Sequence, residues 1–337
     1  MKCIPIVLFL VGTLGYGQRS DFYGTGFKKA DSIALHFKGA SLKNLPALTY
    51  NLTANLTTDV EKFRAIYTWV CTNIENDYGA YQKTVKKRKK LSGNKEALTE
   101  WNNNFTPKVF KKLVTHRKTA CTGYAFLTRE LANLADINCK IINGYGRTAT
   151  LILNENSIPN HSWNAVELNG KWYLCDPTWS AGRIVLEDAG PKFEPDYFDS
   201  YFLADPELFI RNHYPLEINS SFLPQPPTFN QFIEGPVIYK EAFVLEVFPL
   251  QPAKMKLEAK KNKALSFTLR VPNDIKSETI SLAVNKSGSD QTIHPQIVSV
   301  KNECTLKYSF EKTGSYDVHI KVDDTYIATY VVRVKKG

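Results

Sequence analysis

The sequence predicts an α+β domain followed by an all-β sandwich domain, and three observations support this prediction. Apolar residues recur at helical spacing between residues 58 and 134. Short alternating segments joined by a strong hairpin signal lie between residues 139 and 176. From residue 243 to the end, further alternating segments are separated by turn residues. With 337 residues, the chain is long enough for two domains that each bury a core.

The first 17 residues have the form of a secretory signal peptide. A positive start, Met1-Lys2, is followed by an apolar run over 4–14 and by small residues at 15 and 17. The alternative, a buried first strand, is less favoured because the sequence turns polar immediately afterwards. No later segment is apolar over about 18 residues, so we expect no transmembrane segment. We expect an exported protein, secreted or periplasmic, that is soluble once the signal peptide is removed.

The composition excludes a disordered chain, since 43% of the residues are hydrophobic and 12% are aromatic. The chain carries 43 Lys and Arg against 33 Asp and Glu, a formal net charge of +10. This charge is concentrated in residues 82–90, which we interpret as a solvated loop. The alternative is an electrostatic docking site for an acidic partner. We expect no nucleic-acid partner, and the sequence does not indicate an oligomeric state.

Two helices are predicted in the first domain. Thr58 and Glu61 form a capping box, and apolar residues then recur at helical spacing up to Ile74. A second helix begins near Thr119 and carries Cys121 in its first turn. Four strands are predicted after this helix, over residues 139–143, 148–153, 162–168 and 171–176.

The rest of the chain is predicted to be a connector and an immunoglobulin-like sandwich. Residues 186–240 are rich in Pro, Phe and Tyr, and we expect them to pack because so many aromatic side chains require burial. Seven predicted strands cover 243–248, 265–271, 279–284, 297–300, 305–310, 316–322 and 326–334. The predicted organisation is signal peptide 1–17, first domain 18–185, connector 186–240 and sandwich 241–337.

Five cysteines lie beyond the predicted signal peptide, so an oxidised protein would keep at least one free thiol. No C-x-x-C pair and no H-E-x-x-H motif occurs, and we expect neither a metal nor an organic cofactor. Cys139 and Cys175 both lie on predicted strands of one sheet. They form either a disulfide or two buried reduced thiols, and the sequence leaves both alternatives open.

A histidine and an aspartate are predicted to meet on one face of the sheet. Asn169-Gly170 is typical of a two-residue hairpin turn, so residue 168 faces residue 171. Continuing this register, His161 and Asp176 become diagonal neighbours within reach of a side-chain hydrogen bond. A carboxylate that holds a histidine in this way fixes its tautomer and stabilises its imidazolium, as a general base requires.

Cys121 is the candidate nucleophile for this pair. At the start of a helix, unpaired N–H groups and the helix dipole favour the thiolate. The backbone N–H of Cys121 is also a candidate donor to an oxyanion. The alternative is that Cys121 is a small buried thiol and His161 a core histidine. It is less favoured because an independent signal, the Asn169-Gly170 turn, places Asp176 on the same face as His161.

The motifs around these residues resemble those of the transglutaminase-like superfamily over roughly residues 58–185. The motifs are Thr119-Ala120-Cys121-Thr122-Gly123-Tyr124-Ala125, Asn143-Gly144-Tyr145, Asn160-His161-Ser162-Trp163-Asn164 and Cys175-Asp176-Pro177-Thr178-Trp179. The following segment resembles the kyphoscoliosis-peptidase branch through Phe198, Tyr201, Phe202, Pro206, Phe209, Ile210, His213 and Pro215.

The resemblance implies a papain-like core in which Cys121 is the nucleophile, His161 the base and Asp176 its orienting carboxylate. It also implies a second oxyanion donor upstream, for which Tyr78 and Trp101 are candidates. The first interpretation is a cysteine-dependent hydrolase acting on a protein, peptide or cell-wall amide through an acyl-thioester. The alternatives are a transglutaminase, which passes the acyl group to an amine, and a non-catalytic binding or scaffold protein.

Overall fold

The structure is a computed structural model that describes residues 17–91, 93–151, 153–188, 190–286 and 288–337. The predicted signal peptide therefore lies outside the described residues, apart from its last residue. Among the helices of the described ranges, none combines the length and the apolar character needed to cross a membrane.

Most of the helices lie in the first 133 residues. The capping box at Thr58 and Glu61 is present at the start of the third of them. The helices are α1 (Lys28–His36), α2 (Leu45–Thr53), α3 (Asp59–Asn73), α4 (Tyr78–Leu91), α5 (Lys95–His116), α6 (Cys121–Asn133), α7 (Pro177–Ala181), α8 (Pro206–Phe209), α9 (Phe229–Glu234) and α10 (Lys240–Val244).

The described strands form sheets of two and four strands before residue 216 and sheets of four and six strands after it. The first group is β1 (Glu75–Asn76), β2 (Lys118–Thr119), β3 (Cys139–Gly146), β4 (His161–Leu168), β5 (Lys171–Cys175), β6 (Gly182–Glu187), β7 (Gly190–Pro195) and β8 (His213–Pro215). The second group is β9 (Val237–Ile238), β10 (Phe248–Gln251), β11 (Lys256–Lys260), β12 (Ala264–Arg270), β13 (Ile280–Lys286), β14 (Ser289–Ile293), β15 (Gln296–Val300), β16 (Glu303–Ser309), β17 (Gly314–Val322) and β18 (Thr325–Lys335).

The main sheet of the first domain is antiparallel, with strand order β5-β4-β3-β8. Helix α6 packs on β3 and β4, and the apolar face of α3 packs against α6 in the same core. This core is formed by residues such as Trp69, Tyr124, Leu131 and Val166, all of which are inaccessible to solvent. The predicted α+β architecture, with the cysteine-bearing helix on an antiparallel sheet, is confirmed.

The predicted aromatic connector packs against the first domain. Its strand β8 pairs with β3, and Tyr201, Phe202 and Phe209 are buried. The guanidinium of Arg147 donates hydrogen bonds to the backbone carbonyls of Gly235 and Pro236 at 2.6 and 3.0 Å. The chain between the two domains is therefore held by a strand pairing, aromatic burial and a buried cation.

The C-terminal region is a sandwich of two mainly antiparallel sheets, which confirms the all-β prediction. One sheet has the order β10-β12-β16-β15, and the other has the order β11-β18-β17-β13-β14 with β9 beside β18. Its core contains Phe267, Leu306, Val318 and Tyr330, and the same apolar cluster extends to Trp163 on the main sheet of the first domain.

Three secondary-structure predictions are wrong. Residues 82–90 lie in α4 rather than in a loop, because Gln, Lys and Arg are good helix formers and no Gly or Pro interrupts them. Residues 243–248 contain the end of α10 and only the first residue of β10, since short apolar runs do not distinguish helix from strand. The described residues of 148–153 form no strand.

Cys139 and Cys175 both carry free, buried thiols, which supports the reduced alternative rather than the disulfide. The predicted domain boundaries stay predictions, since β8 and β9 show that the connector contributes strands to the sheets on both sides of it.

Candidate active site

Cys121 is the first residue of α6, where the sequence predicted it. The N-cap residue, Ala120, has no side-chain acceptor, so no capping group occupies the N–H groups of the first turn. Gly123 allows this turn to pack closely, because a Cβ there would lie 1.9 Å from Thr119 Oγ1. The thiol is thus held at the positive end of a helix dipole, where a thiolate is stabilised.

His161 is the first residue of β4 and is buried. The strand is anchored just before it by the side chain of Asn160, which accepts from Gly146 N–H at 2.7 Å and donates to Gly146 C=O at 2.9 Å. The imidazole stacks on the Trp179 ring with a centroid distance of 5.1 Å. The Asn160 contacts fix the backbone at His161, and the stacking on Trp179 restricts the orientation of the imidazole ring.

Asp176 lies directly after β5 and meets His161 as the hairpin register predicted. The pairing of Leu168 with Lys171 and of Asn164 with Cys175 confirms the two-residue turn. The distance from His161 Nε2 to Asp176 Oδ2 is 2.7 Å. With Nε2 facing the carboxylate, Nδ1 is the ring nitrogen that remains for the thiol of Cys121.

The ladder ends at Asp176 because the next residue, Pro177, starts α7. The carboxylate caps this helix through Oδ1, which accepts from the N–H groups of Thr178 and Trp179 at 2.8 and 3.2 Å. The backbone carbonyl of Asp176 accepts from the Tyr67 hydroxyl at 2.9 Å. Asp176 is therefore held through both its carboxylate and its backbone.

The electrostatics favour a thiolate–imidazolium pair. Burial raises the pKa of Cys121, but the hydrogen bond and charge of His161 outweigh burial, so that the thiol pKa lies below its ordinary value. Burial also opposes protonation of His161, yet the Asp176 carboxylate raises the histidine pKa to about 10. Burial raises the pKa of Cys71, Cys139 and Cys175, and these thiols stay protonated near neutral pH.

Two residues near this cluster were not predicted to contribute to the site. His213 Nε2 lies 3.0 Å from Asp176 Oδ2, and its side chain is wholly buried. Tyr81 on α4 is buried enough to raise its pKa, and the negative charge of Cys121 raises it further. No periodicity marks the three-residue strand that carries His213, and Tyr81 lies beside a segment that was predicted to be a loop.

The two predicted candidates for the second oxyanion donor make other contacts. Trp101 stacks on Phe105 within α5 at 4.6 Å between ring centroids. Tyr78 stacks on Tyr81 at 5.7 Å. Tyr81, whose pKa is raised by burial and by the charge of Cys121, is a third candidate for that role beside Tyr78 and Trp101.

His161, Asp176 and His213 are close enough together to be considered as metal ligands, with ligand atoms within 4.8 Å of one another. Both Nε2 atoms, however, lie at hydrogen-bond distance from the same carboxylate oxygen. A shared hydrogen-bond acceptor accounts for this geometry, and we interpret the group as a hydrogen-bonded cluster rather than a metal site.

Several known proteins are similar to this chain. Residues 46–177 match the model of the transglutaminase-like superfamily. The chain is similar to kyphoscoliosis peptidase of Homo sapiens, with 31% identity over 219 residues, covering 64% of this chain and 30% of that protein. It is also similar to Hillarin of Drosophila melanogaster, with 27% identity over 223 residues, covering 63% of this chain and 25% of Hillarin.

A third relative is the Lim and transglutaminase domain protein ltd-1 of Caenorhabditis elegans, with 26% identity over 261 residues, covering 73% of this chain and 33% of ltd-1. The chain thus spans no more than about a third of these relatives. Among solved structures, the Lin-41 filamin domain matches with a TM-score of 0.23 and 16% identity, covering 31% of this chain and 99% of that domain.

Proposed function

We propose that this chain, which matches the transglutaminase-like superfamily over residues 46–177 and is similar to kyphoscoliosis peptidase, is a cysteine-dependent amide hydrolase. The observation that carries the proposal is the 2.7 Å contact between His161 Nε2 and Asp176 Oδ2. The lowered pKa of the Cys121 thiol, which results from the neighbouring His161, supports it. A thiol, a base and an orienting carboxylate in this order are the parts that nucleophilic acyl transfer requires.

The proposed reaction has two halves. The Cys121 thiolate attacks the amide carbon and forms a C–S bond. The developing oxyanion is stabilised by the Cys121 N–H and the Tyr81 hydroxyl. The His161 imidazolium gives its proton to the amide nitrogen as the C–N bond breaks and the amine leaves. A water molecule then transfers a proton to His161 and attacks the thioester, releasing a carboxylic acid and restoring the thiolate–imidazolium pair.

The substrate class that we propose is a protein, peptide or cell-wall crosslink amide, met after export of the chain. Helix α4 adds a preference within this class. Lys83, Lys86, Lys87 and Lys90 are exposed at i, i+3, i+4 and i+7, so they lie on one face of α4, and the helix carries no acidic residue. We call these four residues the lysine stripe. At about 100° per residue, the lysine stripe lies on the face of α4 opposite Tyr81. We propose that its positive potential attracts substrates with acidic residues near the amide, without direct contact at the thiol.

Amine transfer is the second candidate, since it would start from the same acyl-enzyme. The burial of Cys121 favours it, because limited access of water prolongs the life of a thioester. A non-catalytic binding role is the third candidate, because a fold alone does not assign chemistry.

The test combines thiol mapping with a product assay. The purified protein is treated with limiting iodoacetamide near neutral pH, and we expect the adduct on Cys121 rather than on Cys71 or Cys304. The protein is then incubated in H₂¹⁸O with a mixture of peptides and peptidoglycan fragments and with dansylcadaverine, beside Cys121→Ser as control. New carboxyl groups that carry ¹⁸O support hydrolysis. Incorporation of the amine instead supports transfer, and an ordinary thiol without product supports the binding role.

A further inference from the structure

A second imidazole, that of His213, contacts the carboxylate that orients His161. His213 Nε2 lies 3.0 Å from Asp176 Oδ2, the same oxygen that His161 contacts at 2.7 Å. The His213 side chain is 0% exposed, and its ring stacks on Phe209 at 3.9 Å. Because a buried polar group is costly unless it is hydrogen-bonded, the contact with Asp176 is part of what stabilises His213 at this position.

We propose that His213 is a positioning residue, whose uncharged imidazole donates Nε2–H to Asp176 and so holds the carboxylate that orients His161. This inference rests on the proposed thiol chemistry and deepens it. Asp176 Oδ1 already accepts two backbone N–H groups, and Oδ2 accepts from the two imidazoles. Four donors match the acceptor capacity of a carboxylate, so that the group has no freedom left to rotate away from His161.

The Asn212 side chain determines which tautomer of His213 is favoured. His213 Nδ1 lies 2.6 Å from Asn212 Oδ1, and Asn212 Nδ2 lies 3.2 Å from the Tyr201 hydroxyl. The inference requires this amide to be turned by 180°, because Nδ1 of the Nε2–H tautomer is an acceptor and has to face the amide nitrogen, while the Tyr201 hydroxyl then donates to the amide oxygen. The donors then run from Tyr201 through Asn212 and His213 to Asp176. Burial lowers the pKa of His213 to about 4, which keeps the ring uncharged at neutral pH.

The other titratable groups that act on this cluster stay protonated in the working range. Burial raises the pKa values of all of them above their ordinary values, so that Cys121, His161, Asp176 and His213 determine the pH response. These other groups are Tyr67 and Cys71 on α3, Tyr81 on α4, Tyr124 on α6, Cys175 on β5 and Tyr201 in the connector.

The test uses the rate of Cys121 alkylation as a function of pH, which needs no substrate. His213→Phe preserves the ring but removes the donor, whereas His213→Gln keeps an amide N–H near the position of Nε2. Without this donor, Asp176 no longer holds the His161 imidazole next to Cys121. The effect of burial on the Cys121 thiol is then no longer offset, so the pKa of Cys121 rises. We expect the acid limb of the alkylation profile to move to higher pH by about one unit in His213→Phe and to stay in place in His213→Gln. Melting temperatures establish that both variants fold.

The outcomes separate this inference from the proposed function. A wild-type Cys121 with the reactivity of an ordinary thiol overturns the proposed function itself. A reactive wild-type thiol whose profile is the same in His213→Phe, or shifted equally in both variants, overturns the role of His213. Should His213→Phe fail to fold, ¹⁵N-histidine NMR of the wild-type protein decides. A neutral His213 protonated at Nε2 supports the inference, and an imidazolium or the Nδ1–H tautomer overturns it.

Discussion

Asn164 on β4 donates its side-chain amide to the backbone carbonyl of Ala125 on α6 at 2.8 Å. This bond joins the strand that begins with His161 to the helix that begins with Cys121. Asn164 is 0% exposed, so neither group has water as an alternative partner. Asn164 therefore helps to set the separation of Cys121 and His161 through the two elements that carry them.

Replacing Asn164 with Leu removes this donor while preserving the approximate volume. We expect a loss of about 1–3 kcal/mol in the free energy of unfolding, typical of a lost buried hydrogen bond. The alkylation rate of Cys121 should fall as well, because α6 is free to shift relative to β4. Denaturant unfolding and iodoacetamide kinetics measure the two effects, with Asn138→Leu at a surface amide as control. An unchanged alkylation rate in a destabilised Asn164→Leu would show that the bond is structural only.

Asp176→Asn should separate the role of the carboxylate in chemistry from its role as a helix cap. Asn also caps helices well, so α7 should persist. The side-chain amide nitrogen of the Asp176→Asn variant, however, is a donor and cannot accept a hydrogen bond. It therefore faces either the two imidazole N–H groups or the two backbone N–H groups, and one of these pairs loses its acceptor. We expect activity to fall by up to about 10⁴-fold, as in the best-studied analogous triad, with little change in circular dichroism. A variant that unfolds would mean that Asp176 is chiefly structural.

Acid should destabilise the protein through His213. The pKa of His213 is about 4 in the folded chain and about 6.5 in an unfolded one. Between these values the unfolded state binds more protons, so stability falls as pH falls from 6.5 to 4, by about 3 kcal/mol. His161 has a raised pKa of about 10, so its contribution is complete below pH 6.5 and is lost only as the pH rises towards 10.

Denaturant unfolding at pH 4.5, 5.5 and 6.5, followed by tryptophan fluorescence, measures this slope. We expect His213→Gln to lose less stability over the interval than the wild type, because the titrating group is gone. His294→Gln in the sandwich domain is a matched control that should keep the wild-type slope. Parallel curves for the wild type and His213→Gln would contradict the prediction.

The sequence was most informative where a local signal determined a distant contact. The Asn169-Gly170 turn sets the register of β4 against β5, and this register is sufficient to predict that Asp176 lies beside His161. The capping box at Thr58 likewise located the start of α3. Both signals act within a few residues, and tertiary packing did not override them.

Long-range pairings with short elements could not be predicted in this way. His213 reaches Asp176 because β8, a strand of three residues, pairs with β3, and three residues show no periodicity. Tyr81 was missed because a run of like charges resembles a solvated loop, although its residues also favour a helix. The end of α10 at Val244 was assigned to a strand because short apolar runs are ambiguous.

The lysine stripe should select acidic substrates by electrostatic attraction. The test compares the rates at which two peptides with a chloroacetamide group alkylate Cys121. One peptide carries four glutamates, and the matched peptide carries four glutamines. At low salt we expect the acidic peptide to react about tenfold faster, which is at the lower end of the rate enhancements that electrostatic steering produces. The preference should vanish at about 1 M salt, where the Debye length is only about 3 Å.

Replacing Lys83, Lys86, Lys87 and Lys90 with Gln should abolish this preference and leave the reaction with the glutamine peptide unchanged. The matched control replaces four exposed sandwich lysines, Lys256, Lys260, Lys261 and Lys263, and removes the same charge from the whole chain. If only the net charge of +10 attracts the peptide, both variants lose the preference equally. An effect confined to the α4 variant would mean that the local positive potential of α4, rather than the net charge of the chain, attracts acidic substrates.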